Sequence, residues 1–123
     1  MFHSFIRPQE AMLFQKYLRY IKPPVLDFGC GDGFFAETVF GKGKIDVGLD
    51  LLNSRANEAE SKKIYKKISY YDGSTIPYPT HYFQTVISNC VLEHIIEINK
   101  SLNEIHRVLK PNGYFLTTVM TER

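Results

Sequence analysis

Residues 25–35 read Val-Leu-Asp-Phe-Gly-Cys-Gly-Asp-Gly-Phe-Phe, and the reading of this stretch decides the fold. Apolar residues around one aspartate run into three glycines, and a helical pattern begins at Phe34. Ordering so many glycines costs conformational entropy, so the bare backbone must serve a close approach. Val25 to Phe28 reads as a short strand, and Phe34 to Phe40 as a helix closed by Gly41 and Gly43.

The same alternation continues outward. Upstream, Pro8 to Ile21 has Phe14, Tyr17, Leu18 and Ile21 on one helical face and ends at Pro23-Pro24. Downstream, Asp46 to Leu49 reads as a second strand ending at Asp50. Ser54 to about Lys63 reads as a polar helix with Ser54 as N-cap. Lys67 to Tyr71 is a third strand, and Asp72 to Thr80 a loop with one glycine and two prolines. Phe83 to Asn89 is a fourth strand, apolar enough to be buried. His94 to Leu109 carries a helical stripe at Ile95, Ile98, Leu102, Ile105 and Leu109. Lys110-Pro-Asn-Gly113 is a turn before a fifth strand, Tyr114 to Val119. Strands alternating with helices imply right-handed crossovers and an α/β, doubly wound parallel sheet. Ligands of such sheets sit outside the C-terminal strand ends, which is where the glycine loop, Asp50, Asp72, Asn89 and Cys90 fall.

Composition narrows the class. The chain has 123 residues, 44% hydrophobic and 23% charged, which suits one domain over residues 1–123 with its core at 25–119. A net charge of +2 gives no broad electrostatic case for nucleic acid or an acidic membrane. Cys30 and Cys90 are too few for a disulfide framework, so the chain reads as a reduced, cytoplasmic protein. No apolar run reaches the roughly 18 residues of a membrane span, and residues 1–7 lack a secretory apolar stretch. The histidines His3, His81 and His106 have no metal-ligand spacing, and no metal is expected.

Three ligand classes use a glycine loop between a strand and a helix. A phosphate-binding P-loop needs Gly-Lys-Ser/Thr, and residues 29–35 hold no lysine. A dinucleotide fingerprint needs its third glycine one position later than Gly33, and Asp32 would repel a pyrophosphate. S-adenosylmethionine (SAM) fits better, because it has no phosphate and its sulfonium and amino groups are cationic.

Asp27-Phe-Gly29-Cys-Gly31-Asp-Gly33 closely resembles the first motif of class I SAM-dependent methyltransferases. Val47-Gly-Leu-Asp50 resembles that family's second-strand motif, and Asp72-Gly-Ser74 with Ile76-Pro-Tyr78 its stretch after the third strand. Ser88 to Ile95 resembles the segment after the fourth strand, and Arg107-Val-Leu-Lys-Pro-Asn-Gly113 the turn before the fifth. These ordered motifs cover most of residues 25–119, and the small type 11 methyltransferases are the nearest likeness. The resemblance implies a Rossmann-like sheet in the order 3-2-1-4-5 with SAM as cofactor. It implies that Gly29, Cys30 and Gly31 let the backbone approach the methionine and ribose portions, with Asp27 near the methionine end. Asp50, with Leu51 beside it, would accept the ribose hydroxyls. Asp72 would bond the adenine amino group beside Gly73 and Ser74, and Asn89 and Cys90 would floor the sulfonium.

Plainer readings stand beside these. Asp50 suits a solvated strand end or a helix cap, and Asp72 an Asx-turn. Cys30 and Cys90 suit small packing residues, and Phe34, Phe35, Tyr70 and Tyr71 suit core. Lys62, Lys63, Lys66 and Lys67 suit a solvated helix end. His94 and Asn89 are the catalytic candidates, though His94 equally suits a helix start. Gln84 stands where the family usually carries Asp, a departure expected to alter the local loop geometry more than activity.

Methyl transfer is an in-line displacement that chiefly needs alignment and exclusion of water, so no obligatory base is expected. The implied function is methyl transfer to a small-molecule acceptor; the alternative is a non-catalytic module that binds SAM or a protein partner, with a nicotinamide oxidoreductase further off. The family's sheet has seven strands, and this sequence ends after the fifth at Thr121-Glu-Arg123. A truncated piece of a longer protein is the favoured explanation, against a homodimer through the fifth-strand edge or a partner chain covering it.

Overall fold

The computed structural model describes Met12, residues 14–89 and residues 91–118. Its strands are β1 (Val25–Phe28), β2 (Ile45–Leu51), β3 (Tyr65–Tyr71), β4 (Phe83–Asn89) and β5 (Leu109–Thr118). Between them run α1 (Phe34–Phe40), α2 (Ala56–Ser61) and α3 (Ile98–Val108), with 3-10 turns at Leu18–Tyr20 and Leu92–His94. The described strands form one sheet, β3-β2-β1-β4-β5, with every neighbouring pair parallel. This is the expected doubly wound order, and its direction reverses between β1 and β4, the switch point where such folds bind ligands.

Every residue of β1 is buried because the sheet is covered on both faces. On one face Val25 joins Ile45, Ile87 and Tyr65 beneath Ala36, Ala56 and Ala59, whose small side chains let α1 and α2 lie close. On the other, Leu26 and Phe28 pack with Val47, Leu49 and Val86 beneath Ile105 and Val108 of α3. Burial of each large apolar side chain contributes about 1.5–3 kcal/mol.

Several boundaries differ from the sequence reading. Met12 and residues 14–16 are helical, while the rest of the expected helix up to residue 13 lies outside the described residues. β2 and β3 begin earlier, at Ile45 and Tyr65, because these two residues pair in register and are both buried. Lys66 and Lys67 therefore belong to edge strand β3 rather than to a helix end, and Lys66 pairs with Asp46 at 3.4 Å. Outward lysines on an edge strand oppose pairing with another chain.

Helix α2 is shorter than expected and its N-cap is Arg55; Ser54 instead accepts the Ala56 N–H through its hydroxyl at 3.2 Å. Helix α3 starts at Ile98, not His94, because the preceding residues close a 3-10 turn through His94 N–H to Val91 O and Ile95 N–H to Leu92 O. Its buried face is Ser101, Ile105 and Val108, leaving Ile98 and Leu102 each 36% exposed. The expected turn Lys110–Gly113 is a bulge inside β5, set opposite Gln84 between the pairs Phe83–Leu109 and Thr85–Tyr114. Gln84 holds the bulge by donating its side-chain amide to Asn112 O at 3.1 Å. Phe34, expected in the core, is 39% exposed; its neighbour Phe35 packs edge-on against Phe14 at 4.8 Å.

Candidate functional site

The C-terminal strand ends bring the glycine loop, Asp50, Leu51, the Asp72 loop and Asn89 to one edge of the sheet. Gly29, Gly31 and Gly33 take left-handed φ values of +75°, +56° and +83°, a region that side chains enter at a cost. The Gly29 and Cys30 N–H groups both donate to Leu49 O, at 2.8 and 3.0 Å. Asp50 completes the tie: its Oδ2 accepts the Gly31 N–H and its Oδ1 the Leu51 N–H, each at 2.8 Å. Each carboxylate oxygen has two lone pairs, so Asp50 can hold the loop and accept further hydroxyls.

The first and last glycines of the loop are also needed by packing. A Cβ on Gly29 would stand 2.7 Å from both Val91 methyls, and one on Gly33 would stand 2.8 Å from Ile64 Cδ1. Asp32, given no site role by the sequence, secures the loop's far end. Its Oδ1 accepts the Phe34 N–H at 3.0 Å, and its Oδ2 meets Arg55 Nη2 at 3.3 Å. Arg55 in turn grips Glu58 with two bonds of 3.1 and 3.0 Å.

Beneath the loop, Asp27 is 3% exposed and accepts a hydrogen bond from the Tyr65 hydroxyl at Oδ2. Burial pushes the Asp27 carboxyl up to about 7; the Tyr65 bond opposes this and the Asp50 charge adds to it. Burial likewise raises the Cys30 thiol, with the Asp27 and Asp50 charges adding to it. Cys30 is thus a buried, inert thiol at the loop.

Asp72 makes the Asx-turn: its Oδ1 accepts the N–H of Ser74 at 2.8 Å and of Thr75 at 3.1 Å, and these bonds hold its carboxyl below the usual range. Leu51 Cδ2 would stand 3.5 Å from a Cβ on Gly73, so Leu51 and the Asp72 loop are neighbours. The loop is anchored by Arg107, which the sequence singled out only as the start of a motif, and by Glu104, which it did not single out. Glu104 accepts the Ile76 N–H at 2.8 Å, while Arg107 donates to Ile76 O at 2.8 Å and Tyr78 O at 3.0 Å. Arg107 and Glu104 are themselves paired at 2.9 Å.

The catalytic candidates are less closely gathered. Asn89 Oδ1 accepts the Thr118 hydroxyl, which directs the amide toward β5. The His94 side chain is 78% exposed, with Nε2 3.8 Å from Glu93 Oε2, and stands in a 3-10 turn. Cys90 lies outside the described residues. Along the outer edge of β5, Phe14, Tyr17, Phe115, Leu116, Thr117 and Thr118 line a cavity of about 260 Å³. Among the described residues no helix is long and apolar enough to cross a membrane, and no cluster of His, Cys, Asp and Glu could hold a metal.

Comparison with known proteins gives this geometry a context. Residues 26–117 match the model of a family described as "Methyltransferase domain". A malonyl-[acyl-carrier protein] O-methyltransferase of Legionella pneumophila is 28% identical over 118 residues, covering 89% of this chain and 41% of that protein. The mitochondrial arginine-hydroxylase NDUFAF5 of Rattus norvegicus is 32% identical over 98 residues, covering 76% of this chain and 28% of that one. Among solved structures, a SAM-dependent methyltransferase from Aquifex aeolicus superposes with a TM-score of 0.71 at 22% identity, covering 97% of this chain and 77% of that chain. The chain thus spans less than half the length of these two curated relatives.

Proposed function

This chain belongs to the class I SAM-dependent methyltransferase family, and we propose that it acts as one domain that holds SAM on the glycine loop and serves methyl transfer to a small-molecule acceptor. The observation that carries the reading is the Asp50 carboxylate, placed by its 2.8 Å bond to Gly31 N–H at the lip of the loop. There it has lone pairs left to accept a ribose diol. A phosphate at the lip of the loop would meet the Asp50 carboxylate, which disfavours an anion and favours a cation.

The residues present fit the group. Gly29 and Gly31 offer left-handed backbone for the methionine end, with Cys30 between them and the buried acid Asp27 beneath. Leu51 and Gly73 offer an apolar edge for a base, with Asp72 and Ser74 beside it. Asn89 ends β4, the strand next to β1, where it would face the sulfonium with Cys90, the next residue in the sequence. SAM, when bound, supplies a methyl group on a cationic sulfur that leaves as a neutral thioether. The chain's part is to align and to exclude water. The loop ties would hold the surface on which the cofactor lies, and Val91 packs over Gly29. Because the leaving group is good, a base is needed only for an acceptor that arrives protonated; His94 and Asn89 are the residues we assign to that task.

Acceptor and assembly belong to the same proposal. β5 pairs only with β4 among the described strands, which leaves its outer edge and the adjoining aromatic cavity for a further segment, a second copy or a partner chain. A cytoplasmic setting is part of the proposal, resting on a sequence with too few cysteines for a disulfide framework. The rat relative named for arginine hydroxylation makes the reaction itself a point for experiment. Calorimetric titration with S-adenosylhomocysteine (SAH), with NAD as control, tests the reading: micromolar binding of SAH alone is expected, and binding of NAD alone would overturn it. Methyl release from labelled SAM with candidate acceptors then separates an enzyme from a silent binding module.

A further inference from the structure

Six lysines meet at one corner of the fold, at the N-terminal ends of β2 and β3. Lys42 and Lys44 lie in the turn after α1, Lys62 and Lys63 in the turn after α2, and Lys66 and Lys67 near the start of the outer strand β3; all six are exposed. Two contacts bring the turns together: Gly43 N–H donates to Ile64 O at 2.8 Å, and Ile45 pairs in register with Tyr65. The acids nearby are already engaged. Asp46 meets Lys66 at 3.4 Å and accepts the Val25 N–H at 2.7 Å, and Glu60 accepts the Tyr70 hydroxyl at 3.0 Å. Setting Asp46 and Glu60 against the six lysines leaves +4 in this corner, while the whole chain carries +2, so the remainder of the molecule is net negative. Local duties cover part of this charge. A lysine after α2 suits the helix C-terminus, and lysines on β3 keep the open edge from a second copy. Neither duty needs Lys42 and Lys44, which bring charge to the same spot across the Gly43–Ile64 contact.

We propose that this lysine corner docks the acidic face of a partner protein, while the candidate site stays open at the other end of the same strands. β2 and β3 are each seven residues long, which separates their two ends by about 20 Å. The partner is identified by what the corner holds and lacks. Its charges are ammonium groups on flexible stems, which adapt to carboxylates scattered over a protein surface. Among the described residues it has no arginine fork to grip phosphate and no exposed aromatic ring on which bases could stack. No large apolar side chain is exposed there to enter a lipid surface. A second copy brings the same lysines and is repelled. An acidic partner is drawn in, and salt controls how fast. The surface is independent of what the glycine loop holds.

The test is a fluorescence-anisotropy titration of the full chain against a labelled poly-glutamate peptide. Micromolar binding is expected, weakening about tenfold between about 50 mM and about 300 mM NaCl as screening sets in. Lys42→Glu with Lys44→Glu should weaken it about tenfold or more, and Lys62→Glu with Lys63→Glu should do the same from the other turn. Lys16→Glu with Lys110→Glu makes the same change in net charge at exposed positions elsewhere and should weaken it far less. Equal losses in all three pairs would mean that net charge alone acts, and would overturn the docking surface. No binding of poly-glutamate at low salt overturns it too. Tighter binding of a DNA duplex of matched charge, or of phosphatidylserine vesicles, also overturns it, since the corner would then serve a nucleic acid or a membrane. SAH affinity should be the same in the wild type and all three variants. A fall confined to the corner variants would mean that corner and site are not separate, against the proposal. Failure of SAH to bind the wild type would overturn the cofactor reading and leave this surface to its own titrations.

Discussion

Asp50 and Gly31 lie on separate elements, yet the carboxylate Oδ2 of one accepts the N–H of the other at 2.8 Å. The acid at the end of β2 therefore fixes the loop at the end of β1. The residue proposed to hold the ribose is also the residue that shapes the surface on which the ribose would lie.

Asp50→Ala should for that reason do two things at once. It strands the Gly31 and Leu51 N–H groups and removes a charge-assisted acceptor worth about 1.5–3 kcal/mol. SAH affinity should fall about tenfold or more by calorimetry. Asp50→Asn keeps a carbonyl for one of the two N–H groups and should regain part of the stability. Unchanged affinity in Asp50→Ala would remove Asp50 from the site.

Gly29→Ala tests the loop backbone directly. A left-handed φ of +75° costs an alanine roughly 1–2 kcal/mol, and its methyl would sit 2.7 Å from both methyls of Val91. Denaturant unfolding should show a loss larger than the φ cost alone. Adding Val91→Ala should return the steric part and leave the φ part, so the two substitutions should be clearly non-additive. Strict additivity would mean that the Val91 contact does not limit position 29.

Much of the fold was legible in the sequence. Strands β1 and β4 and helix α1 carry runs long and apolar enough to fix their bounds, and Asp50 and Asp72 announced themselves by following strands. What the sequence hid were contacts between distant segments. Tyr65 read as lying outside a strand that began at Lys67, because two lysines break the apolar run; its pairing with Ile45 restores it and delivers its hydroxyl to Asp27. Asp32 looked like a charge set against phosphate and is a loop-to-helix tie through Arg55. His94 looked like the start of a helix because Ile95 fell on the apolar stripe, but the helix packs through Ser101, which hydropathy alone ranks as polar. Gln84, marked as a departure, supports the bulge at Asn112.

Arg107→Ala should loosen the Asp72 loop without touching the sheet. The guanidinium bonds the carbonyls of Ile76 and Tyr78 and pairs with Glu104, whose other task is the Ile76 N–H. Losing it leaves one half-buried carboxylate and two carbonyls to find water. A stability loss of about 1–3 kcal/mol is expected, with faster amide exchange across residues 72–80. Arg107→Lys should rescue poorly, because an ammonium cannot reproduce the fork. Exchange unchanged in the loop would show that it is held by other means.

The buried Asp27 carboxyl makes stability itself depend on pH, in the sense opposite to most acids. Its midpoint rises from the ordinary 3.8 to about 7 on folding, chiefly through burial. Between those values the folded chain binds a proton that the unfolded chain has released, so stability falls as pH rises through that window. Below it both states are protonated and Asp27 contributes nothing; above about 7 both are ionised and the full cost of a buried charge, about 4 kcal/mol, is present. Asp72 and Glu104, held low by their hydrogen bonds, act the other way, and their contribution is lost only as pH falls below their ordinary values of 3.8 and 4.5. Asp27→Asn keeps the shape and cannot ionise. Urea titrations of both proteins between about pH 4.5 and about pH 8 should therefore show the variant gaining on the wild type as pH rises, by most of that amount. A difference that stays flat across the window would mean that Asp27 is charged throughout, and that its proton has no part in folding.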